Sequence, residues 1–471
     1  MKQFLFLTAA VMIGGTAAIA APFWGVMLYY ALATLRPQNL WAWALADMPT
    51  VRWSLLAGGI AIGAFLIHLP TIINTARTNK VLGLLLIYAL LITLSVLTAF
   101  NPKIAQFWLE EYAKVIAIAV IASLVVQQLW QVRALAIMIT LTIGYIALEI
   151  NHLYFTQGGR LDILHEGYGG LDNNGAGALI ALGIPFAYFL ATSRAGEWVK
   201  PRRVVGVVLG LLMLHAVMMT YSRGAMLAAA VGIGWILFHH RPRKQAAAAA
   251  CAMVFVVGVM AGPEIRDRFT STAEFQTDAS AQSRFESWGA AWRMAWEHPL
   301  LGKGIRNSNT YSENFGADMA GRTIHNQYLQ MAADSGIPAA LVYTVMLLLG
   351  LWGVHLARRK LLQFHGDNAD ELDDEQHARL DEAAALTLAI QAAVMMFMFS
   401  AIFLSVELVE LPWLLIVLAG VTPMAVHYFL DAFEDETLPV AETQPGDTSL
   451  DPPPPVVSPA QPMLEEERHA A

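Results

Sequence analysis

Run after run of uncharged residues, each close to twenty long, is the first thing this chain has to accommodate. A helix of about 20 apolar residues crosses the hydrocarbon core of a bilayer, and only helices or closed barrels satisfy their backbone polar groups there. Windows of this kind fall near residues 51–69, 81–100, 113–130, 133–155, 175–192, 203–221, 224–239, 245–262, 337–357, 384–406 and 412–430. An earlier stretch, Phe4 to Leu35, is interrupted by Pro22 and reads as one kinked span or two short ones. The expected fold is therefore all-α, a polytopic membrane helix bundle of about 12 transmembrane helices. Composition agrees, with 56% hydrophobic and 14% charged residues in 471. Residues 1–20 could also be a cleaved signal peptide, but the next segment is equally apolar, so retention is expected.

Charge placement gives the orientation. Three short basic segments, Arg194 to Arg203, His239 to Lys244 and Arg358 to Lys360, are separated by even numbers of spans and belong in the cytoplasm. The loops near 36–50, 101–112 and 156–174, the turn Tyr221 to Gly224 and the long segment 262–336 then face outward. The expected organisation is an N-terminal bundle (1–262), a large, partly helical periplasmic catalytic loop (263–336), C-terminal spans (337–430) with an acidic cytoplasmic loop (361–383), and an acidic, proline-rich cytoplasmic tail (431–471). That tail holds ten acidic residues against Arg468, which accounts for the whole net charge of −8 and leaves the rest near neutral. Its few apolar groups predict disorder. A single cysteine, Cys251, supports neither a disulfide framework nor a cysteine metal site.

The outer segments hold the polar residues that ask for a chemical explanation. Arg284 heads a helical pattern in which Phe285, Trp288, Trp292 and Trp296 share a face, suited either to a membrane interface or to a small loop core. His298 to Gly304 reads as a glycine-rich turn. His325 precedes a helix running to Gly336, and could cap it or accept a proton from a hydroxyl. Arg223, in Tyr221-Ser222-Arg223-Gly224 between two apolar spans, needs an anion. That anion is either a carboxylate among Glu110, Glu111, Asp172, Glu407 and Glu410, or a lipid-linked phosphate matched to the guanidinium fork.

Taken together, Arg223 in Tyr-Ser-Arg-Gly-Ala, Arg284 followed by Trp288, the His-Pro-Leu-Leu-Gly-Lys-Gly turn and His325-Asn326-Gln327-Tyr328-Leu329 before Gly336 resemble the O-antigen ligase and polymerase superfamily. The likeness covers roughly residues 170 to 360. The stretch Arg36 to Trp41 also resembles a subgroup of O-glycosylation ligases associated with exosortase systems. The resemblance implies a metal-independent, inverting glycosyltransferase of the bacterial inner membrane, with no cofactor and no nucleic acid partner. It would move a glycan from undecaprenyl diphosphate to an acceptor hydroxyl on a glycan, lipid or protein. It further implies Arg223 and Arg284 as diphosphate ligands and His325 as the base, with Asn326, Tyr328 and Lys303 as candidate substrate-orienting residues. A polymerase, a protein O-glycosylation ligase and, from another class, a transporter of lipid-linked glycans are the rival readings.

Overall fold

The computed structural model describes residues 1–46, 51–157, 163–240, 244, 248, 279–319 and 321–437. The window at 245–262, apart from Ala248, and the tail beyond Thr437 lie outside the described residues. Residues 1–430 form one compact unit. The described chain is helical, and its principal helices are α1 (Lys2–Ala20), α2 (Pro22–Leu35), α3 (Trp53–Ile67), α4 (Leu69–Thr75), α5 (Lys80–Ser95), α6 (Pro102–Val125), α7 (Leu129–Thr156), α8 (Asn173–Ala181), α9 (Ile184–Ala191), α10 (Val199–Met219), α11 (Arg223–His239), α12 (Ala279–Glu297), α13 (Gln327–Ser335), α14 (Ile337–Asp367), α15 (Asp374–Ser400) and α16 (Glu410–Thr437).

Eight helices among the described residues are long and apolar enough to cross a membrane, or nine if the bent pair α3 and α4, 71° apart, makes one span. The expected count of about 12 is not confirmed: the window at 245–262 lies almost wholly outside the described residues, and others fall short for local reasons. Helix α2 has 14 residues and α11 has 17, both short of a full crossing. Helix α6 has the length but carries Lys103, Glu110, Glu111 and Lys114. The Phe4–Leu35 stretch is two helices. Ala21 is extended at the junction and Pro22 starts α2, where its missing N–H costs nothing. Gly14 lies against Leu28 and Gly25 against Ala18, so the pair folds back as a hairpin.

Packing between spans depends on small residues, as expected where lipid is as apolar as leucine. A Cβ on Gly206 of α10 would come within 2.3 Å of the Ala191 nitrogen and 2.7 Å of the Ala187 carbonyl oxygen on α9. Span Asn173–Ala191 is itself broken at Leu182-Gly183, where Pro185 opens α9. At the centre, Tyr88 (α5), Tyr343 (α14) and Trp413 (α16) form a buried aromatic triad with centroids 5.7 to 6.0 Å apart.

One end of the bundle is tied by a buried carboxylate. Glu382 of α15 accepts hydrogen bonds from the Ser193 hydroxyl (2.8 Å) and the Ala195 backbone N–H (3.0 Å), and pairs with Arg133 of α7 at 2.7 Å. The three basic segments meet at this same end, since Arg194, Arg203, His239, His240 and Arg358 line one cavity. Helices α10 and α11 run from this end to the turn that carries Arg223, at the other end. Helix α14 continues to Asp367, and Asp373 caps α15 by accepting from the Gln376 N–H, so 368–373 is all that separates the two helices.

Candidate functional site

At the end opposite Glu382, the site is assembled from three helix beginnings and one irregular segment. Thr220 ends α10, Tyr221 takes a left-handed backbone (φ 52°), and Ser222 caps α11 by accepting from the Ala225 N–H at 3.3 Å. Arg223 is thus the first residue of α11, where unpaired backbone N–H groups and the helix dipole favour anions. The Ser222 hydroxyl donates to Asn174 (2.8 Å) and the Asn173 amide donates to the Thr220 carbonyl (3.2 Å), fastening this turn to the start of α8. Asp172 caps α8, accepting from the Gly175 N–H at 2.7 Å.

Helix α12 brings Arg284. Its inner face is Ser287, Ala290, Ala291, Met294 and Ala295, all buried, and it rests on a small core with Ile324 and Ala333. The aromatic stripe divides. Trp288 turns inward toward Phe403 (6.2 Å between centroids), while Phe285, Trp292 and Trp296 are more than half exposed. Those three suit a membrane interface, whereas Trp288 joins the loop core. Ser287 is the joint, its hydroxyl donating to the Arg284 carbonyl (2.9 Å) and the Ile324 carbonyl (3.3 Å).

His325 follows Ile324 directly, in a left-handed backbone with φ 51°. An L-residue with a bulky side chain rarely adopts that conformation, and such strain collects at functional positions. Its Nδ1 is buried without a hydrogen-bond partner among the described residues. Burial pushes the imidazole below its usual pKa, the nearby Arg284 and then Arg322 push the same way, and Asp172 partly opposes them. Arg284 and Asp172 therefore each lie within electrostatic reach of His325. Arg223 precedes Gly224, where an added Cβ would lie 3.4 Å from Phe403, and the Phe403 ring is 6.2 Å from Trp288, one turn from Arg284.

The irregular segment after α15 holds this together. Gln327 donates its backbone N–H to the Ala401 carbonyl (2.8 Å), accepts from the Val406 N–H (3.2 Å), and donates its side chain to the Tyr343 hydroxyl (2.6 Å). The secondary candidates are occupied locally. Asn326 caps α13 by accepting from Leu329 (3.0 Å), and Tyr328 donates to the Met398 carbonyl (3.0 Å). Lys303 is buried with its ammonium 3.6 Å from the Phe100 ring centre, in a turn where Gly302 and Gly304 both have positive φ.

A charged cluster that sequence reading missed lies beneath the loop. Arg306 pairs with buried Glu407 at 3.5 Å and sits over the Trp108 ring. Asp334 accepts from the Ser308 N–H (2.9 Å), and burial pushes its carboxyl up to about 6. Two of the carboxylates proposed as partners for Arg223 are thus used elsewhere, Glu407 by Arg306 and Glu111 by Lys114. The signal was weak, since Arg306 and Glu407 belong to no common motif. Among the described residues no group of three or more His, Cys, Asp or Glu side chains could hold a metal ion.

Residues 208–344 match the family model described as O-antigen ligase. The matched stretch supports the O-antigen ligase superfamily. It runs from α10 into α14 and contains Arg223, Arg284 and His325. Asp172 and the 401–406 segment lie outside this matched region. No curated protein matches the chain. The family and the apolar helices together describe a multi-pass membrane enzyme of the ligase and polymerase type.

Proposed function

We propose that the protein transfers a glycan from undecaprenyl diphosphate to an acceptor hydroxyl at the periplasmic face. What supports this reading is the left-handed, largely buried His325 beside Arg284, with Arg223 at the start of α11 at the same end of the bundle. Arg223, at the start of α11, and Arg284 bind the diphosphate and offset the charge that grows on it as the glycosidic C–O bond breaks. His325 takes the acceptor proton as the hydroxyl oxygen bonds to the anomeric carbon. Attack opposite the departing diphosphate inverts that carbon. The diphosphate leaves on its own charge stabilisation, so the step needs no second acid and no metal.

A neutral imidazole is the form a base requires, and burial beside Arg284 and Arg322 favours it. Asn326, Tyr328 and Lys303 serve local structure in this reading, each being engaged by a neighbour. The basic end belongs in the cytoplasm by the charge rule, which turns the site outward in an inner membrane. Ligase, polymerase and protein O-glycosylation ligase share this chemistry and differ in acceptor.

The test is glycan transfer by the purified protein in vesicles carrying a lipid-linked donor, offered lipid A core, repeat units or protein in parallel. The product formed names the acceptor class. His325→Ala is expected to lose at least 100-fold in transfer while keeping donor binding. Unchanged transfer would remove the base from the scheme, and movement of intact lipid-linked glycan without a transfer product would support the transporter.

A further inference from the structure

The proposed reaction leaves unused a cavity of about 660 Å³ at the same end of the bundle, lined by both polar and aromatic side chains. Its walls are Trp43, on the short helix Ala42–Leu45, Tyr145, Glu149 and His152 near the end of α7, and Glu166 and Tyr168 from the segment preceding α8. From this cavity we propose that it is a saccharide subsite selecting uncharged or amine-bearing sugars over acidic ones. This inference rests on the proposed transfer reaction and adds its substrate class.

The walls are pre-organised. The Trp41 indole N–H donates to the Tyr145 hydroxyl (3.1 Å) and to Glu149 (3.4 Å), and the Tyr145 hydroxyl donates to Glu149. The carboxylate is therefore fixed in place before any ligand arrives. The opposite wall is a tight turn in which Tyr168 and Leu171 exchange backbone hydrogen bonds (2.8 and 3.1 Å). Gly170, with φ 74°, packs so closely on Asn39 that an added Cβ would meet its amide nitrogen at 2.2 Å. The segment Arg36 to Trp41, prominent in the sequence and idle in the reaction scheme, builds this side of the cavity.

The chemistry fits a sugar. Trp43 is 73% exposed, a large apolar plate at the rim, and Tyr145 and Tyr168 add aromatic edges within. Aromatic plates take the C–H faces of pyranose rings, and fixed carboxylates accept paired hydroxyls. Among the described residues two glutamates line the cavity and no lysine or arginine does. A uronic acid or sugar phosphate would be repelled there, and an amine would be drawn in. The location fits too, because the wall at Gly167 to Gly170 leads within two residues to Asp172, whose charge reaches His325.

The test uses the full-length protein in nanodiscs against an array of neutral, amino-sugar and acidic oligosaccharides. Binding of neutral and amino sugars, with acidic ones excluded, is expected. Trp43→Ala should weaken it at least tenfold, with circular dichroism and gel filtration unchanged because Trp43 is exposed, and Glu149→Gln should admit acidic glycans. An empty array, a bound set that is acidic, or undiminished binding by Trp43→Ala overturns the subsite. In the transfer assay Trp43→Ala should raise KM for either the donor or the acceptor, which identifies the glycan that sits there, and a rise in neither also overturns it. Array binding without any transfer product would sink the reaction scheme and leave the subsite standing. Transfer with an empty array would do the reverse.

Discussion

His325 decides whether the corner described above is chemical or merely structural, and its environment makes that testable by pH. A base works only unprotonated, so a depressed pKa extends activity to lower pH. The acidic limb of kcat/KM is expected below pH 6.5, the ordinary histidine value, because burial, Arg284 and Arg322 all disfavour the imidazolium. Arg322→Gln removes one of those charges and should move the limb upward; a limb that stays in place would detach the profile from His325. The arginines make a different prediction. Lysine at 223 or 284 keeps the charge and loses the planar fork, so transfer should recover only partly relative to alanine, read as kcat/KM at varied donor. Cost of placement singled out Arg223, whereas the roles of Arg284 and His325 rested on the resemblance of the combined motifs. Sequence reading offered Asp172 only as a possible partner of Arg223 and gave Gln327 no role, because the effect of Asp172 on His325 spans 153 residues and the bond from Gln327 to Ala401 spans 74.

At the scale of elements, the legible parts were those with a period or a break. The apolar windows, the fold-back allowed by Pro22 and the helix after His325 all follow from local pattern. The division of the aromatic stripe on α12 did not, because Trp288 and Trp292 are equally apolar and only the position of Phe403 separates them. Ser287 links α12 to the strand of chain before His325. Ser287→Ala should cost roughly 1 kcal/mol of stability and lower turnover more than donor affinity, measured by thermal unfolding alongside kcat and KM. Close helix contact gives a second prediction. Gly206→Leu drives a side chain into the backbone of α9 and should destabilise the protein by about 2 kcal/mol or more, seen as a lowered Tm in detergent.

Across the whole molecule, the sequence sorted charges onto two ends and the fold keeps them there. The cytoplasmic placement of the basic end is checked by cysteine accessibility in intact cells, with Cys251 replaced by serine. Met319→Cys, near the site, should react with a membrane-impermeant maleimide, and Lys360→Cys, beside the basic cavity, should react only after lysis. The reverse pattern would put the chemistry on the wrong side for an outward-facing acceptor. The buried pair at Arg306 and Glu407 escaped prediction because 101 positions separate its members, and no run or spacing marks them.

The Glu382 knot has a consequence for how a bulky substrate gets in and out. Glu382 is buried while its partner Arg133 is 36% exposed, and hydroxyl and backbone donors converge on the same carboxylate, so parting the helices here would strand a buried charge. Any movement that admits a bulky substrate is then expected in the short connections at the opposite end, with the helix ends around Glu382 held together.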